Sequence, residues 1–500
     1  MNSKSLKHVL LVCLLGLALR LAFLPFVKIT EADAISRTFA AWRWLSRPEF
    51  ITHGVWGPLH TYLIALALAI MPDAAIAPAL MTILFGVATA VPLYLLTREQ
   101  FSENGALFVA LAYLFYPVAV RNSLMAVSEI PFGFFAVCAF LFVSRARRES
   151  GTIVQALFAG LFLTLAAALR YEAWALIPLF ALFLLRKPGA LLAFFITSLC
   201  FPVFWMIGSF VHYDDPLLGV NAAAHWQIDI EGVNERLRFQ TVLARAGFYP
   251  WNLFFGLTPI VSAMTIIGVF LCASQKAIRK KLLLWLVPFL GLFIIFLVKA
   301  VGGSLLLRGR YVLILGILIL PFSSLSFERL RWKKLFMILI IATMIPFSFF
   351  FSRYRYLDEA GAIPTFETTQ IDSVVKMINE HNAGATEGLI LDSLGWSNTY
   401  YLALKTGRHP NEIFMAPGGK HQELNLQLFS HFLESHRTGI LVLRDGSRFA
   451  EKFVIEDGKV RFSPTSHALL LEKVGAVRDI TVLRYELSDT VSTTLSTVRP

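Results

Sequence analysis

The stretch Leu282-Leu-Leu-Trp-Leu-Val-Pro-Phe-Leu-Gly-Leu-Phe-Ile-Ile-Phe-Leu-Val298 contains no charged residue and lies between Lys281 and Lys299. A helix rises 1.5 Å per residue, so about 20 apolar residues cross the roughly 30 Å hydrocarbon core of a bilayer. The rest of the chain is similar, because 56% of its 500 residues are hydrophobic and only 16% are charged. Soluble domains carry roughly 25% charged residues. We therefore predict an integral membrane protein built from spanning helices.

The orientation of the predicted spans follows from the basic residues between them. Every second connection is rich in Lys and Arg, which is typical of cytoplasmic connections, so we place these connections and the N-terminus inside. The alternation holds only if the apolar stretch 58–71, which is too short to cross, forms a helix along the outer surface. Of the crossings, 172–185 is the shortest. The predicted spans are 8–27, 75–97, 104–120, 129–144, 152–169, 172–185, 189–211, 250–273, 282–300, 311–327 and 335–352.

Composition also excludes several classes of partner. The net charge of +12 is distributed in short runs between spans, so it indicates membrane topology and no nucleic-acid partner. The four cysteines all lie in apolar stretches, which excludes a disulfide framework and a zinc site in the tail. Neither a GxxxxGK[ST] motif nor a GxGxxG motif within a βαβ unit is present, so no nucleotide is expected. The cysteines are Cys13, Cys138, Cys200 and Cys272.

The chain is predicted to have two domains. Residues 1–352 form the membrane domain, with outer loops at 28–74 and 121–128, and residues 353–500 form a soluble domain on the outer side. Short apolar runs alternate with helical patterns in this tail, which indicates a small α/β domain. Its predicted elements are helices at Ile371–Glu380 and Trp396–Thr406, the second ended by Gly407, and strands at Gly388–Asp392, Gly439–Leu443 and Ile480–Tyr485.

The first outer loop contains candidate catalytic groups. Glu31 and Asp33 are two residues apart, so they can share a divalent ion or leave one carboxylate free as a base. The alternative is a solvated loop start in which Asp33 caps a helix at Ala34–Leu45. Further along, His53 and His60 have side chains that can bind metal or phosphate, although single interfacial histidines commonly act only as hydrogen-bonding groups.

Two later segments add ionisable groups at the same predicted face. Arg121 opens the second outer loop, and Glu129 begins a span of otherwise apolar residues. A carboxylate there is costly unless it is hydrated, paired or bound to an ion. The connection between the next two spans holds Arg170 and Glu172, which alternatively form a self-neutralising pair that marks the membrane edge.

Arginines also lie where the orientation rule disfavours them. Arg308, Arg310 and the adjacent Tyr311 precede a late span on the predicted outer side, with Lys299 nearby. Cations in this position need an anionic partner, and the guanidinium fork matches a phosphate bidentately. Together with the carboxylates, these residues predict a site for a lipid-linked phosphate beside a group that deprotonates a nucleophile.

These motifs resemble those of the GT-C superfamily of membrane glycosyltransferases, most closely the branch of protein O-mannosyltransferases and lipid A aminoarabinose transferases. The acidic loop motif Glu31-Ala-Asp33 follows a first span, and Trp56-Gly-Pro-Leu-His60 opens the surface helix. The family commonly has His-Pro-Pro-Leu there, so Gly57 is a departure. Arg121-Asn-Ser-Leu-Met-Ala-Val-Ser-Glu129-Ile-Pro131 is similar to the family's Arg…acidic-x-Pro segment, and Arg310-Tyr311 to its arginine–tyrosine element. The likeness covers about residues 8–350.

The resemblance implies a function and a set of roles. The donor would be a polyprenyl-phosphate sugar, and transfer to a glycolipid, glycan or protein hydroxyl would occur with inversion on the periplasmic or exterior face of the plasma (inner) membrane. Asp33 would be the general base, Glu129 would bind a metal or position the acceptor, and Arg310 would hold the donor phosphate. Whether a divalent ion bound by Asp33 and Glu129 takes part is left open.

Two other functions fit parts of the pattern. An oligosaccharyltransferase also combines an acidic first loop with an outer soluble domain, but its Trp-Trp-Asp-like signature has only a weak counterpart in Asp392-Ser-Leu-Gly-Trp396. A transporter or lipid flippase belongs to a different class. It would place ionisable residues near the middle of the bilayer, whereas here they cluster at one predicted surface.

Overall fold

The computed structural model describes most of the chain, and the described residues divide into two compact units. The first unit comprises Met1–Ile29, Glu49–Ile70 and Ile76–Thr365, and the second comprises Thr30–Pro48, Met71–Ala75 and Phe366–Pro500. The described residues are 3–27, 31–50, 55–222, 238–276, 278–353, 369–381, 387–394, 396–417, 424–456, 459–462 and 468–488.

Helices occupy nearly all of the described residues before residue 354, and only α2 among them belongs to the second unit. They are α1 Ser3–Phe23, α2 Ala32–Ser46, α3 Leu59–Ile70, α4 Ala77–Ala88, α5 Ala90–Gln100, α6 Glu103–Leu114, α7 Pro117–Leu124, α8 Glu129–Ala146, α9 Ile153–Ala167, α10 Glu172–Ala181, α11 Pro188–Ser198, α12 Cys200–Tyr213, α13 Phe239–Gly256, α14 Pro259–Ser274, α15 Arg279–Val301, α16 Val312–Ile319, α17 Ser323–Glu328 and α18 Lys333–Arg353.

The first unit is a bundle of apolar helices, which confirms the predicted polytopic α-helical membrane protein. Within the described residues, 7 helices are long and apolar enough to cross a membrane, or up to 9 if two bent pairs each count as one span. Helices α9 and α10 are apolar but shorter. The eleven predicted crossings and their orientation stay predictions.

One predicted span, 250–273, is not a single continuous helix, because the chain bends within it. Helices α13 and α14 meet there at an angle of 104°. Proline lacks an amide hydrogen and disfavours a helical conformation in the preceding residue, and Pro259 follows Thr258, which has φ 70° and ψ 147°. A second break, of 47°, separates α6 from α7. Helix α7 continues to Leu124, so residues 121–124 are helical and do not belong to the predicted outer loop 121–128.

Helix α3 corresponds to the stretch predicted to lie along the surface. It has 12 residues, so its length of about 18 Å is well short of a bilayer core. The turn before it packs against the end of α9, where the Leu59 amide donates to the Ala168 carbonyl over 3.1 Å. A Cβ atom on Gly57 would overlap that same carbonyl oxygen. The close backbone approach therefore explains why this chain has glycine at the position where the sequence departs from the family pattern.

The second unit is built on a seven-stranded mixed sheet, which confirms the predicted α/β domain. The elements are α19 Thr369–Glu380, β1 Gly388–Leu391, α20 Trp396–Lys405, β2 Ile413–Met415, α21 Leu426–Ser435, β3 Thr438–Arg444, β4 Phe453–Glu456, β5 Lys459–Phe462, β6 Ala468–Val477 and β7 Ile480–Ser488. Strand order is β2-β1-β3-β7-β6-β5-β4, with β2, β1 and β3 parallel and the other pairs antiparallel. The strands at β1, β3 and β7 were predicted, and β2 and β4–β6 were not.

Alternating side chains give this sheet two apolar faces. On one face, Leu389 and Leu391 of β1 contribute to a core shared with α19, α20 and α2. On the other face, Ile390 packs in a core with α21. Helix α2 thus groups with the tail, apart from the rest of residues 1–352, because Ile35 and Phe39 are one helical turn apart and form an apolar face that this core covers.

The close approach at Gly57 gives a stability prediction. Gly57→Ala should lower the free energy of unfolding by about 1–3 kcal/mol, since the backbone of α9 must shift to admit a methyl group. Gly247→Ala is the matched control, because Gly247 is helical with open space around it, and it should be neutral or stabilise by up to about 1 kcal/mol. Thermal unfolding of the purified variants in one detergent measures both. Equal unfolding temperatures would contradict the assigned packing.

Candidate active site

The acidic motif of the first predicted loop lies at the start of α2. Glu31 is the N-cap residue and is buried, and Asp33 is in the first helical turn and half-buried. Helix α2 begins two residues earlier than predicted, so the alternative in which Asp33 caps the helix is wrong. The first turn of a helix is a favourable position for a carboxylate, because the partial positive charge of the helix N-terminus stabilises it.

A separate cluster within the first unit is centred on Glu129, the first residue of α8. Its Oε1 atom accepts from Nη1 of Arg170 over 2.8 Å and lies 2.9 Å from Nε of Arg310. The Glu129 and Arg310 side chains are 4% and 3% exposed. Two arginines from distant parts of the sequence therefore contact one buried carboxylate oxygen.

Arg170, in the turn between α9 and α10, connects this carboxylate to a second one. Its Nη2 atom lies 2.6 Å from Glu172 Oε1, and its Nη1 atom also donates to Ser128 Oγ over 3.2 Å. Burial alone would lower the pKa of Arg170, but the carboxylates of Glu129 and Glu172 outweigh it and raise that pKa above its usual value. The Arg170–Glu172 pair is thus part of a larger network and does not form the isolated pair considered from sequence.

Tyr311 and two polar neighbours complete the network. The Tyr311 ring centre lies 4.8 Å from the guanidinium carbon of Arg170 and 5.6 Å from that of Arg310. Asn122, on α7, donates from its side chain to the Arg310 carbonyl over 3.3 Å. Tyr249, on α13, donates to the Leu306 carbonyl over 3.4 Å, which attaches α13 to the segment that leads to Arg310.

Five of the predicted site residues are therefore brought together, and the structure adds others. Glu129, Arg170, Glu172, Arg310 and Tyr311 form the contacts above. Ser128, Asn122, Tyr249 and the buried Arg245 were missed. Asn122 and Ser128 lie inside the quoted second-loop motif and could have been read from it. Tyr249 and Arg245 were assigned to a loop, and only the helix α13 shows that they face inward.

The remaining predicted residues lie in several different elements. Arg121 and Arg308 are buried in the first unit, each 2% exposed. His60 is completely buried in α3, and Lys299 lies in the last turn of α15. His53 lies outside the described residues.

The described residues give little support to a metal ion at Glu129. They contain no group of three or more His, Cys, Asp or Glu side chains placed to hold one. The Glu129 carboxylate faces two guanidinium groups, which compete with a cation for the same oxygen atom. A divalent ion bound by Asp33 and Glu129 stays a prediction.

Part of the sequence matches a known protein family, and the fold is similar to that of solved structures. Residues 53–213 match the family described as dolichyl-phosphate-mannose-protein mannosyltransferase. The structure of ArnT from Cupriavidus metallidurans bound to undecaprenyl phosphate is similar, with a TM-score of 0.65 and 10% sequence identity over 98% of this chain and 99% of that one. The chain has the fold of the GT-C membrane glycosyltransferases. This confirms the resemblance seen in the sequence.

A second relative shares the GT-C fold more loosely. The archaeal oligosaccharyltransferase AglB from Archaeoglobus fulgidus, in complex with an inhibitory peptide and a dolichol-phosphate, matches with a TM-score of 0.51 and 13% identity. That match covers 88% of this chain and 69% of AglB. No curated protein sequence is significantly similar to the chain.

The two carboxylates of the cluster should differ in their effect on stability. Glu129→Gln places an amide between two buried guanidinium groups, and removing one partner of a buried pair costs about 3–5 kcal/mol. Glu172 is 17% exposed and, among the described residues, forms an ion pair only with Arg170, so Glu172→Gln should cost about 1–3 kcal/mol. Thermal unfolding of the two purified variants compares them. A larger loss for Glu172→Gln would overturn the central role of Glu129.

Proposed function

We propose that this protein is a glycosyltransferase that moves a sugar from a polyprenyl-phosphate donor to a hydroxyl acceptor, with inversion at the sugar. The observation that supports this proposal best is the arginine cluster around Glu129. Two guanidinium groups contact that carboxylate directly, and both also contact the ring of Tyr311.

The charge balance of the buried residues favours an anionic ligand. In the described part of the first unit, Glu129 is the only carboxylate among the buried residues, whereas Arg121, Arg245, Arg308 and Arg310 are all buried. Buried guanidinium groups therefore outnumber buried carboxylates in this part of the protein. A phosphate group suits such a cluster, because each guanidinium presents its donors in a fork that matches two phosphate oxygens.

The same charge excess suits the chemistry of transfer. The phosphodiester of a polyprenyl-phosphate sugar carries one negative charge. As the bond between the anomeric carbon and the phosphate oxygen breaks, its electron pair stays on that oxygen and the phosphate gains a second charge. Cations that are already in place stabilise this developing charge more than they stabilise the bound donor, which lowers the barrier.

The acceptor hydroxyl must lose its proton during the attack. In the proposed mechanism its oxygen forms the new bond to the anomeric carbon from the side opposite the phosphate, and the proton passes to the Asp33 carboxylate. A positioned general base of this kind typically contributes 10²–10⁴-fold to the rate. The role of Asp33 is supported by the resemblance of its acidic motif to the first-loop motif of the GT-C glycosyltransferases. Glu129 would hold the two arginines in position.

Several chemical classes of acceptor fit the proposed reaction. Lipid A or another glycolipid, a glycan polymer and protein hydroxyls all present a suitable nucleophile. An oligosaccharyltransferase-like reaction is the second candidate, supported by the fold likeness to AglB. The ArnT structure, which this chain resembles over nearly its whole length, contains bound undecaprenyl phosphate, and this supports a polyprenyl-phosphate donor.

Paired variants test the donor and base roles. Asp33→Asn should lower kcat by 10²-fold or more and leave the donor KM near wild type, because it removes a group that acts only on the proton. Arg310→Ala should raise the donor KM at least tenfold. Transfer of labelled sugar from undecaprenyl-phosphate mannose and undecaprenyl-phosphate aminoarabinose to membrane acceptors measures both.

Arg148→Ala is the matched control, since Arg148 pairs with Glu99 and is absent from the cluster contacts. It should behave like wild type. Transfer by Asp33→Asn near the wild-type rate would remove the base role, and unchanged donor kinetics in Arg310→Ala would remove Arg310 from the phosphate site. If neither donor supports transfer by the wild type, the donor class proposed here is wrong.

The proposed location is the inner membrane, with the second unit on the periplasmic or extracellular side. This follows from the basic connections between spans. A reporter active only outside the cytoplasm, fused after Pro500, should be active, and one active only in the cytoplasm should be silent. The opposite pair of results would reverse the topology and the assigned face of the reaction.

A further inference from the structure

We propose that the C-terminal domain positions the general base, and that Phe39 and Tyr400 are the positioning residues. This rests on the proposed function, in which Asp33 takes the acceptor proton. The domain would act on the proton-transfer step through α2, the helix whose first turn contains Asp33.

Helix α2 is part of the hydrophobic core of the second unit. Its Ile35 and Phe39 side chains are 4% and 8% exposed and belong to a cluster with residues of α19, α20 and the sheet, including Val374, Leu402 and Val442. The Phe39 and Tyr400 rings are in contact, with their centroids 5.5 Å apart. Since Asp33 lies less than two turns before Phe39, the ring contact sets both the rotation of the helix and the direction of its first turn.

A second contact holds the other end of α2. Ser46, the last residue of the helix, lies with its Oγ atom 2.8 Å from Nε2 of His409. His409 follows α20 and caps a short 3₁₀ turn at Pro410–Glu412. The Phe39–Tyr400 and Ser46–His409 contacts lie at different positions along α2, so together they fix the direction of its axis. A single contact would allow the helix to rotate about that point.

Tertiary packing is needed for this helix to have a fixed direction. Helix α2 has 15 residues, and isolated helices of about 12–15 residues are only marginally stable in water. A catalytic group must be held closely, because a displacement of about 1 Å can cost on the order of 10²-fold in rate. Loss of the Phe39–Tyr400 contact should therefore reduce the chemical step and leave donor binding unchanged.

The experiment compares core variants in the full-length protein in lipid nanodiscs. Phe39→Ala and Tyr400→Ala should each lower kcat at least tenfold for the undecaprenyl-phosphate sugar that supports transfer. The donor KM and the Kd for undecaprenyl phosphate should stay within twofold of wild type. Phe39→Leu and Tyr400→Phe, which keep most of the apolar contact, should restore kcat to within threefold.

Tyr401→Phe is the matched control for damage to the domain itself. Tyr401 lies on the same helix as Tyr400, but its hydroxyl donates to Asp372 of α19 over 3.0 Å. Its removal should lower the unfolding temperature with kcat near wild type. A loss of kcat in Tyr401→Phe equal to that in Tyr400→Ala would mean that any weakening of the domain has this effect, and would overturn the proposal.

Ser46→Ala gives the same test without disturbing the core, since the Ser46–His409 contact is exposed. It should lower kcat two- to fivefold, and wild-type kcat in both Ser46→Ala and the alanine variants of the ring pair would overturn the proposal. Asp33→Asn distinguishes a failure of the positioning role from a failure of the general-base role. If Asp33→Asn is inactive and Phe39→Ala is fully active, the positioning role fails alone, whereas an active Asp33→Asn removes the general base itself.

Discussion

The pairing of Glu129 with Arg170 and Arg310 is the interaction on which the candidate site depends. The Glu129 side chain is 4% exposed. One of its carboxylate oxygens lies within 2.9 Å of nitrogen atoms of both guanidinium groups, which come from different connections of the bundle. A buried charge is tolerated only where opposite charges and hydrogen bonds surround it. The pairing therefore restricts how α8, the α9–α10 turn and the segment before α16 can be arranged.

The residues proposed for phosphate binding and for proton removal belong to different units. The arginines and Glu129 lie in the first unit, whereas Glu31 and Asp33 lie at the start of a helix whose apolar face packs in a core of the second unit. Stabilisation of phosphate charge and removal of a proton are thus supported by different hydrophobic cores. Variants in one core should change donor affinity, and variants in the other should change the chemical step.

The membrane class could be predicted from sequence, because hydropathy depends mainly on local composition. Five of the residues that the structure brings together around Glu129 could also be singled out, because charged residues beside apolar runs are conspicuous. The helices along most of the first 352 residues and the strands at 388–391, 438–444 and 480–488 follow from such local patterns. The helix break at Thr258 was missed because a proline inside an apolar run does not interrupt its high mean hydropathy. The partnership of α2 with the tail was also missed, because it joins residues more than 300 positions apart, and no local pattern reveals which core an amphipathic helix will join. Strands β4–β6, which follow one another at one side of the sheet, were missed as well.

The most direct test of the account is a cryo-electron microscopy structure of the full-length protein in nanodiscs with undecaprenyl phosphate. The account predicts density for the phosphate within hydrogen-bonding distance of the Arg310 or Arg170 guanidinium group. Phosphate density elsewhere, with the Glu129–Arg170–Arg310 contacts unchanged, would contradict the assignment of this cluster as the donor site.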